Sequence, residues 1–276
     1  MDLRIAVAQI ESLNGNIKAN LERIKNVVSS VSADLYIFPE LFLTGYSVND
    51  LIYRFALTMD SNPIKELQQI ASKNRIGIIV GFPEYSDMGC IYNSALAIDD
   101  KGNIYIYRKR HIPTFGPFDE SRWFKSYRGY FSPWIFKGYK IGITICYDIF
   151  YPEIFRIYML NGVKIFINIS AAPDTSIQLF HIVSQARALE NSSYFIWVNS
   201  VGFDGGFGLG GASVIVDPLG NILYTLKYYE EETYVMNINV NEIRTFRFER
   251  PLLKDIIFED FYILFRSALK TLKIKQ

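Results

Sequence analysis

Apolar residues along this chain recur with two periods, and the switches between them mark out its elements. Leu3 to Ile10 is a short apolar run of strand type. After Asn14-Gly15, residues Ile17, Leu21, Ile24, Val27, Val28 and Val31 form one stripe at helical spacing. Asp34 to Phe38 reads as the next strand, stopped by Pro39, with Glu40 directly behind it. Gly45-Tyr46 makes a turn, and helices are expected over Asp50 to Met59 and over Pro63 to Lys73, the latter capped by Ser61 or Asn62. Ile76 to Phe82 reads as a buried strand. Asn93 to Ile98 and Asn103 to Lys109 form a hairpin through Asp99-Asp100-Lys101-Gly102. From Arg110 to Pro133 no period is sustained, and the segment is crowded with Phe115, Phe118, Asp119, Glu120, Arg122, Trp123 and Phe124. Long loops inside compact domains are more often functional than accidental.

The second half repeats the alternation. Lys140 to Cys146 has period two, with Ile141, Ile143 and Ile145 on one face and Gly142, Thr144 and Cys146 on the other. Pro152 opens a helix that runs to Asn161-Gly162. Lys164 to Asn168 is a strand leading into Ser170-Ala171-Ala172-Pro173, and Asp174 or Thr175 caps a helix through Glu190, with Leu179, Val183, Ala186 and Leu189 expected inward. Tyr194 to Asn199 is a strand, Gly202 to Gly211 a glycine-rich loop, and Ala212 to Val216, Asn221 to Leu226 and Thr233 to Val240 are strands. The pattern specifies an α/β fold over residues 1–243. A C-terminal tail, 244–276, is aromatic and basic and is expected to pack on the domain or on a partner subunit.

Composition narrows the function classes. With 276 residues, half of them hydrophobic, the chain closes a large core. Its 29 basic and 28 acidic residues leave a net charge of +1, so nothing electrostatic favours nucleic acid or an anionic membrane surface. Cys90 and Cys146 are the only cysteines, too few and too far apart for a disulfide framework or a metal site. No basic-then-apolar leader precedes the first strand and no apolar run has membrane length, so a cytoplasmic location is expected.

Three reactive side chains, Glu40, Lys109 and Cys146, each lie at the carboxyl end of an expected strand, followed by loop, at the sheet edge where α/β folds bind ligands. Singly, the glutamate and lysine are ordinary solvated residues and the cysteine an ordinary buried one. Together they name a base, a cation and a nucleophile. A free thiol has a pKa near ~8.5, so a neighbouring base or cation is needed to activate it. Glu40 would take the proton and Lys109 would favour the thiolate. His111 and His181 read as structural, and the glycines at 205, 206, 208, 210 and 211 lack the ending of a phosphate loop.

Phe38-Pro39-Glu40-Leu41 with Gly45-Tyr46, Tyr107 to Ile112, and Cys146-Tyr147-Asp148 with Pro152-Glu153 resemble the signature blocks of the nitrilase (carbon–nitrogen hydrolase) superfamily. Arg187 to Asn191 with Tyr194 and Asn199, Gly211 to Ser213 with Asp217 to Gly220, and Arg250 to Leu253 are similar to further blocks. The resemblance implies a four-layer αββα sandwich, a Glu40-Lys109-Cys146 triad, Glu120 in a positioning role, no cofactor or metal, and homodimers or larger assemblies. It also implies substrate contacts from Tyr46, Phe115, Tyr147, Ala171 and Ala172. Thr114 to Phe124 is similar to a loop of the glutaminase domains of NAD synthetases. Those domains usually carry Tyr at Phe115, Ser at Ala172 and a basic residue near Gln178. Tyr147-Asp148 after the cysteine looks like the amidase side of the superfamily rather than the Trp-Glu of nitrilases. The expected function is therefore an amidase acting on a small carboxamide. Nitrilase and glutaminase are alternatives of the same class, and a non-catalytic scaffold is the alternative of another.

Overall fold

The computed structural model describes residues 2–86, 88–116, 118–204 and 206–272. Gly205 and the tail beyond residue 272 lie outside the described residues. The chain opens with β1 (Leu3–Gln9) and α1 (Ile17–Ser30), whose N-cap Asn16 accepts the Ala19 N–H. β2 (Leu35–Ile37) follows, then α2 (Ile52–Phe55) behind a 3-10 turn at Asn49–Leu51. The helix expected over 50–59 ends early because Ala56 turns extended and Leu57 bridges to Glu84. Next come α3 (Asn62–Asn74), β3 (Gly77–Tyr85), β4 (Ile91–Ile98) and β5 (Ile104–Arg108). After the long loop the chain forms β6 (Trp134–Phe136), β7 (Tyr139–Ile145), α4 (Pro152–Leu160), β8 (Ile165–Ser170), α5 (Ile177–Asn191) and β9 (Tyr194–Asn199). The glycine-rich stretch folds as a hairpin, β10 (Val201–Asp204) with β11 (Phe207–Gly210), where a loop was expected. β12 (Val214–Val216), β13 (Ile222–Thr225), β14 (Glu232–Ile238), α6 (Glu242–Glu249) and α7 (Phe258–Thr271) complete it.

Two six-stranded sheets result, ordered β14-β1-β2-β3-β4-β5 and β13-β12-β9-β8-β7-β6. In each the central pairs are parallel, β1 with β2 and β2 with β3, β7 with β8 and β8 with β9, and the flanks antiparallel. Alternation along β1 decides the layers. Ile5 and Val7 face Ile141, Ile143 and Ile145 of the other sheet, whereas Ala6 and Ala8 face Leu21 and Ile24 of α1 and Leu67 of α3. α4 and α5 cover the outer face of the second sheet, Tyr158 lying against Gly142 and Phe180 stacking on Trp197. The order of layers is therefore helices, sheet, sheet, helices, the αββα sandwich the motifs implied.

The inward face of α5 differs from expectation. Leu179 and Ala186 are exposed, while Phe180, Ser184, Arg187, Ala188 and Asn191 are buried. Arg187 turns inward because its Nε donates to the carbonyl of Ile149, at 2.9 Å, in the turn that follows Cys146. In the tail, Ile243 is buried and Leu253 and Ile256 pack partly against the main hydrophobic core, but α7 buries none of its residues. Among the described residues no helix is long and apolar enough to cross a membrane.

Candidate active site

Glu40 sits in a turn at the end of β2, with Leu41 behind it at a φ of 50°. The turn lies directly on β3: a Cβ at Gly81 would stand 2.2 Å from the Leu41 nitrogen and 2.6 Å from the Glu40 Cα, so only glycine admits it there. The Glu40 carboxylate is buried and accepts three hydrogen bonds. Its Oε1 accepts from Asn93 Nδ2 and from Lys109 Nζ, both at 2.7 Å, and its Oε2 accepts the Ala171 N–H at 2.9 Å. Lys109, just past β5, is wholly buried and also donates to both oxygens of Glu120 at 2.8 Å. Tyr46 completes the cluster by donating its hydroxyl to Glu120 Oε1 at 2.7 Å. Burial works against the Lys109 ammonium, but Glu120 and Glu40 hold its pKa above the ordinary lysine value. Burial pushes the Glu120 carboxyl upward, Lys109 opposes this, and the like charge of Glu40 adds to it.

Cys146 enters this cluster from the second sheet. Alternation assigned it to a strand face, yet β7 ends at Ile145 and Cys146 takes a φ of 45° to begin a 3-10 turn, Cys146–Phe150. The turn is fixed from below by Asp148, which is wholly buried. Its Oδ2 accepts the Tyr107 hydroxyl at 2.9 Å, and its Oδ1 takes the His111 N–H at 2.9 Å and meets His111 Nδ1 at 2.8 Å. The Cys146 carbonyl accepts Asn168 Nδ2 at 3.3 Å, and Asn168 is held in turn through Ser170 by Trp197. Burial pushes the Cys146 thiol well above its ordinary value, and the adjacent Glu40 adds to the rise by charge and hydrogen bonding. Lys109 pulls the other way, toward the thiolate, as its charge leads one to expect, without prevailing over burial.

A cavity of about 360 Å³ opens onto the sulfur, bounded by Phe115, Phe118, Tyr147, Phe150, Ala172 and Phe180 among others. Of the positions expected to touch substrate, Phe115, Tyr147 and Ala172 are in its walls. Tyr46 donates to Glu120 and the Ala171 N–H to Glu40, which places both beside the catalytic cluster. Asn93, Asp148, Asn168 and Asn199 were not singled out by their chemistry, although each is a polar residue wholly buried. Asn199 fixes the cavity edge, accepting the Ala172 N–H at 2.8 Å and donating to the Ala172 carbonyl at 3.1 Å. The two histidines are structural in their contacts: His111 stacks on Tyr151, and His181 Nε2 meets the Ala212 carbonyl at 2.7 Å. Among the described residues no cluster of three or more His, Cys, Asp or Glu side chains is arranged to hold a metal ion.

Residues 4–248 match the carbon-nitrogen hydrolase family. An (R)-stereoselective amidase from a Pseudomonas species is 27% identical over 256 residues, covering 92% of this chain and 91% of that protein. A Schizosaccharomyces pombe protein named as a probable nitrilase is 30% identical over 258 residues, covering 90% of this chain and 92% of that one. The crystal structure of a carbon-nitrogen hydrolase from Helicobacter pylori G27 superposes with a TM-score of 0.86 at 24% identity, covering 95% of this chain and 98% of that one.

Proposed function

This chain belongs to the carbon-nitrogen hydrolase family, and we propose that within it the protein acts as an amidase, converting a carboxamide to a carboxylic acid and ammonia through a thioester on Cys146. One observation carries the reading: the Glu40 carboxylate meets the Lys109 ammonium at 2.7 Å and borders the Cys146 sulfur, the group of this cluster onto which the cavity opens. Glu40 accepts the thiol proton as the sulfur bonds to the amide carbon. The carbonyl electron pair moves onto oxygen, held there by Lys109 and by the N–H of Tyr147. That N–H lies in the first turn after the cysteine, where helical N–H groups lack an internal acceptor. Such a donor is worth roughly 3 kcal/mol. Collapse breaks the C–N bond, and Glu40 gives its proton to the leaving ammonia. Glu40 then deprotonates a water that attacks the thioester, and the thiol regains its proton as the acid leaves. Glu120 and Tyr46 act by holding Lys109 on the oxyanion side.

Replacing Cys146 with Ala is expected to abolish ammonia release from any amide that the wild type hydrolyses. Mass spectrometry of a wild-type sample quenched during turnover should find the acyl mass on the peptide carrying Cys146. Full activity in Cys146→Ala would remove the thioester and the amidase reading with it. Assembly follows from the same family reading: we propose that α7, with its exposed apolar residues, docks against a second copy of this chain.

A further inference from the structure

We infer that the acyl group hydrolysed here is uncharged and apolar, with the bulk of a medium alkyl or phenyl-bearing chain; the inference rests on the amidase reading and narrows it. The cavity above Cys146, at about 360 Å³, falls near the lower bound of ligand sites, roughly 300–1,000 Å³. Its wall is a continuous aromatic surface. Phe115 meets Phe118 and Tyr147 with ring centres 5.8 and 5.3 Å apart, and Phe150 meets Phe180 at 5.3 Å. Apart from the Cys146 thiol, Ser176 and Tyr147 supply the only polar side chains among its described walls, and none is charged.

An amino-acid amide such as glutamine would bring an ammonium and a carboxylate into this space and leave both unpaired. Lys109, which the proposed mechanism commits to the oxyanion, is otherwise shared between Glu40 and Glu120 and leaves no charge over for a substrate carboxylate. Acetamide has the opposite defect, because it leaves the rings without contacts. Phe115 and Leu179 stand 53% and 55% exposed at the cavity, apolar surface that a hydrocarbon acyl chain would cover.

The test measures kcat/KM for ammonia release from acetamide, butanamide, hexanamide, 3-phenylpropanamide, glutamine and succinamate. Calorimetric binding of the same amides to Cys146→Ala runs in parallel. From acetamide to hexanamide, kcat/KM is expected to rise about fourfold per methylene, equivalent to the ~0.8 kcal/mol of a buried methylene. Glutamine and succinamate should fall at least a hundredfold below hexanamide. Leu179→Arg changes an exposed residue; it should lower hexanamide turnover and raise that of succinamate. Glutamine or succinamate turned over as well as hexanamide overturns the inference and leaves the amidase reading standing. Hexanamide bound by Cys146→Ala, but no ammonia from any amide with wild type, overturns the amidase reading and supports the apolar selectivity. Neither binding nor turnover overturns both.

Discussion

Cys146 is a thiol in waiting rather than a standing thiolate. Burial and the Glu40 charge outweigh the pull of Lys109, whose ammonium is divided between two carboxylates. The reactive form must then arise within the chemical step, as the proton passes to Glu40. Two pH dependences follow. With the base removed in Glu40→Gln, alkylation of Cys146 by iodoacetamide should rise roughly tenfold per pH unit from 7 to 9, with no plateau near the ordinary thiol value of ~8.5. Over the same interval the wild-type kcat/KM should stay flat, because Glu40 does the deprotonating. A plateau in alkylation below pH 8 would show a preformed thiolate and sink this account. Glu40, Lys109 and Cys146 were legible in the sequence because each is reactive and each follows an apolar run. Their partners were not. Asn93 and the Ala171 N–H reach Glu40 across 53 and 131 residues of chain, and no local pattern reports such a contact.

At the level of elements, Asp148 joins the loop after β5 to the turn after β7. By holding Tyr107 and His111 on one side and the Ile145 N–H at 3.4 Å on the other, it sets Lys109 relative to Cys146. Asp148→Asn keeps the shape but weakens acceptance from those donors. It should cost roughly 1.5–3 kcal/mol of stability, the range for hydrogen bonds to charged groups, read by denaturant unfolding. It should also lower kcat more than it raises KM, whereas a purely stabilising role would leave kcat untouched in the folded fraction. Elements with one clean period are legible in the sequence: Tyr194–Asn199 matches β9 end for end, and the β4–β5 hairpin turns where Gly102 predicts it. Hydrophobicity alone predicts the wrong inward face for α5. Its buried face carries Ser184, Arg187 and Asn191, and its exposed Leu179 faces the cavity. The glycine-rich stretch is ambiguous in sequence because glycine suits both a loop and a tight hairpin.

For the molecule as a whole, α7 is the feature that a single chain leaves unexplained. Phe258, Tyr262, Phe265, Leu269 and Leu272 recur at helical spacing and are all exposed. Glu259 and Asp260 lie in its first turn and Lys270 in its last, so two copies packed antiparallel would pair acidic ends with basic ones. Light scattering coupled to size exclusion is expected to give wild type at least twice the chain mass. The exposed substitution Phe265→Asp should return the monomer mass with the melting transition intact. A monomeric wild type, or an unchanged assembly in Phe265→Asp, would refute the docking of a second copy.

Glu40 and Lys109 hang from one sheet and Cys146 from the other, so the reacting groups straddle the seam between the two halves of the sandwich. Neither half owns the chemistry. A slip of one sheet over its neighbour by a fraction of a bond length would part nucleophile from base while every strand stayed paired, so turnover gauges the alignment of the halves more finely than any measure of folded content.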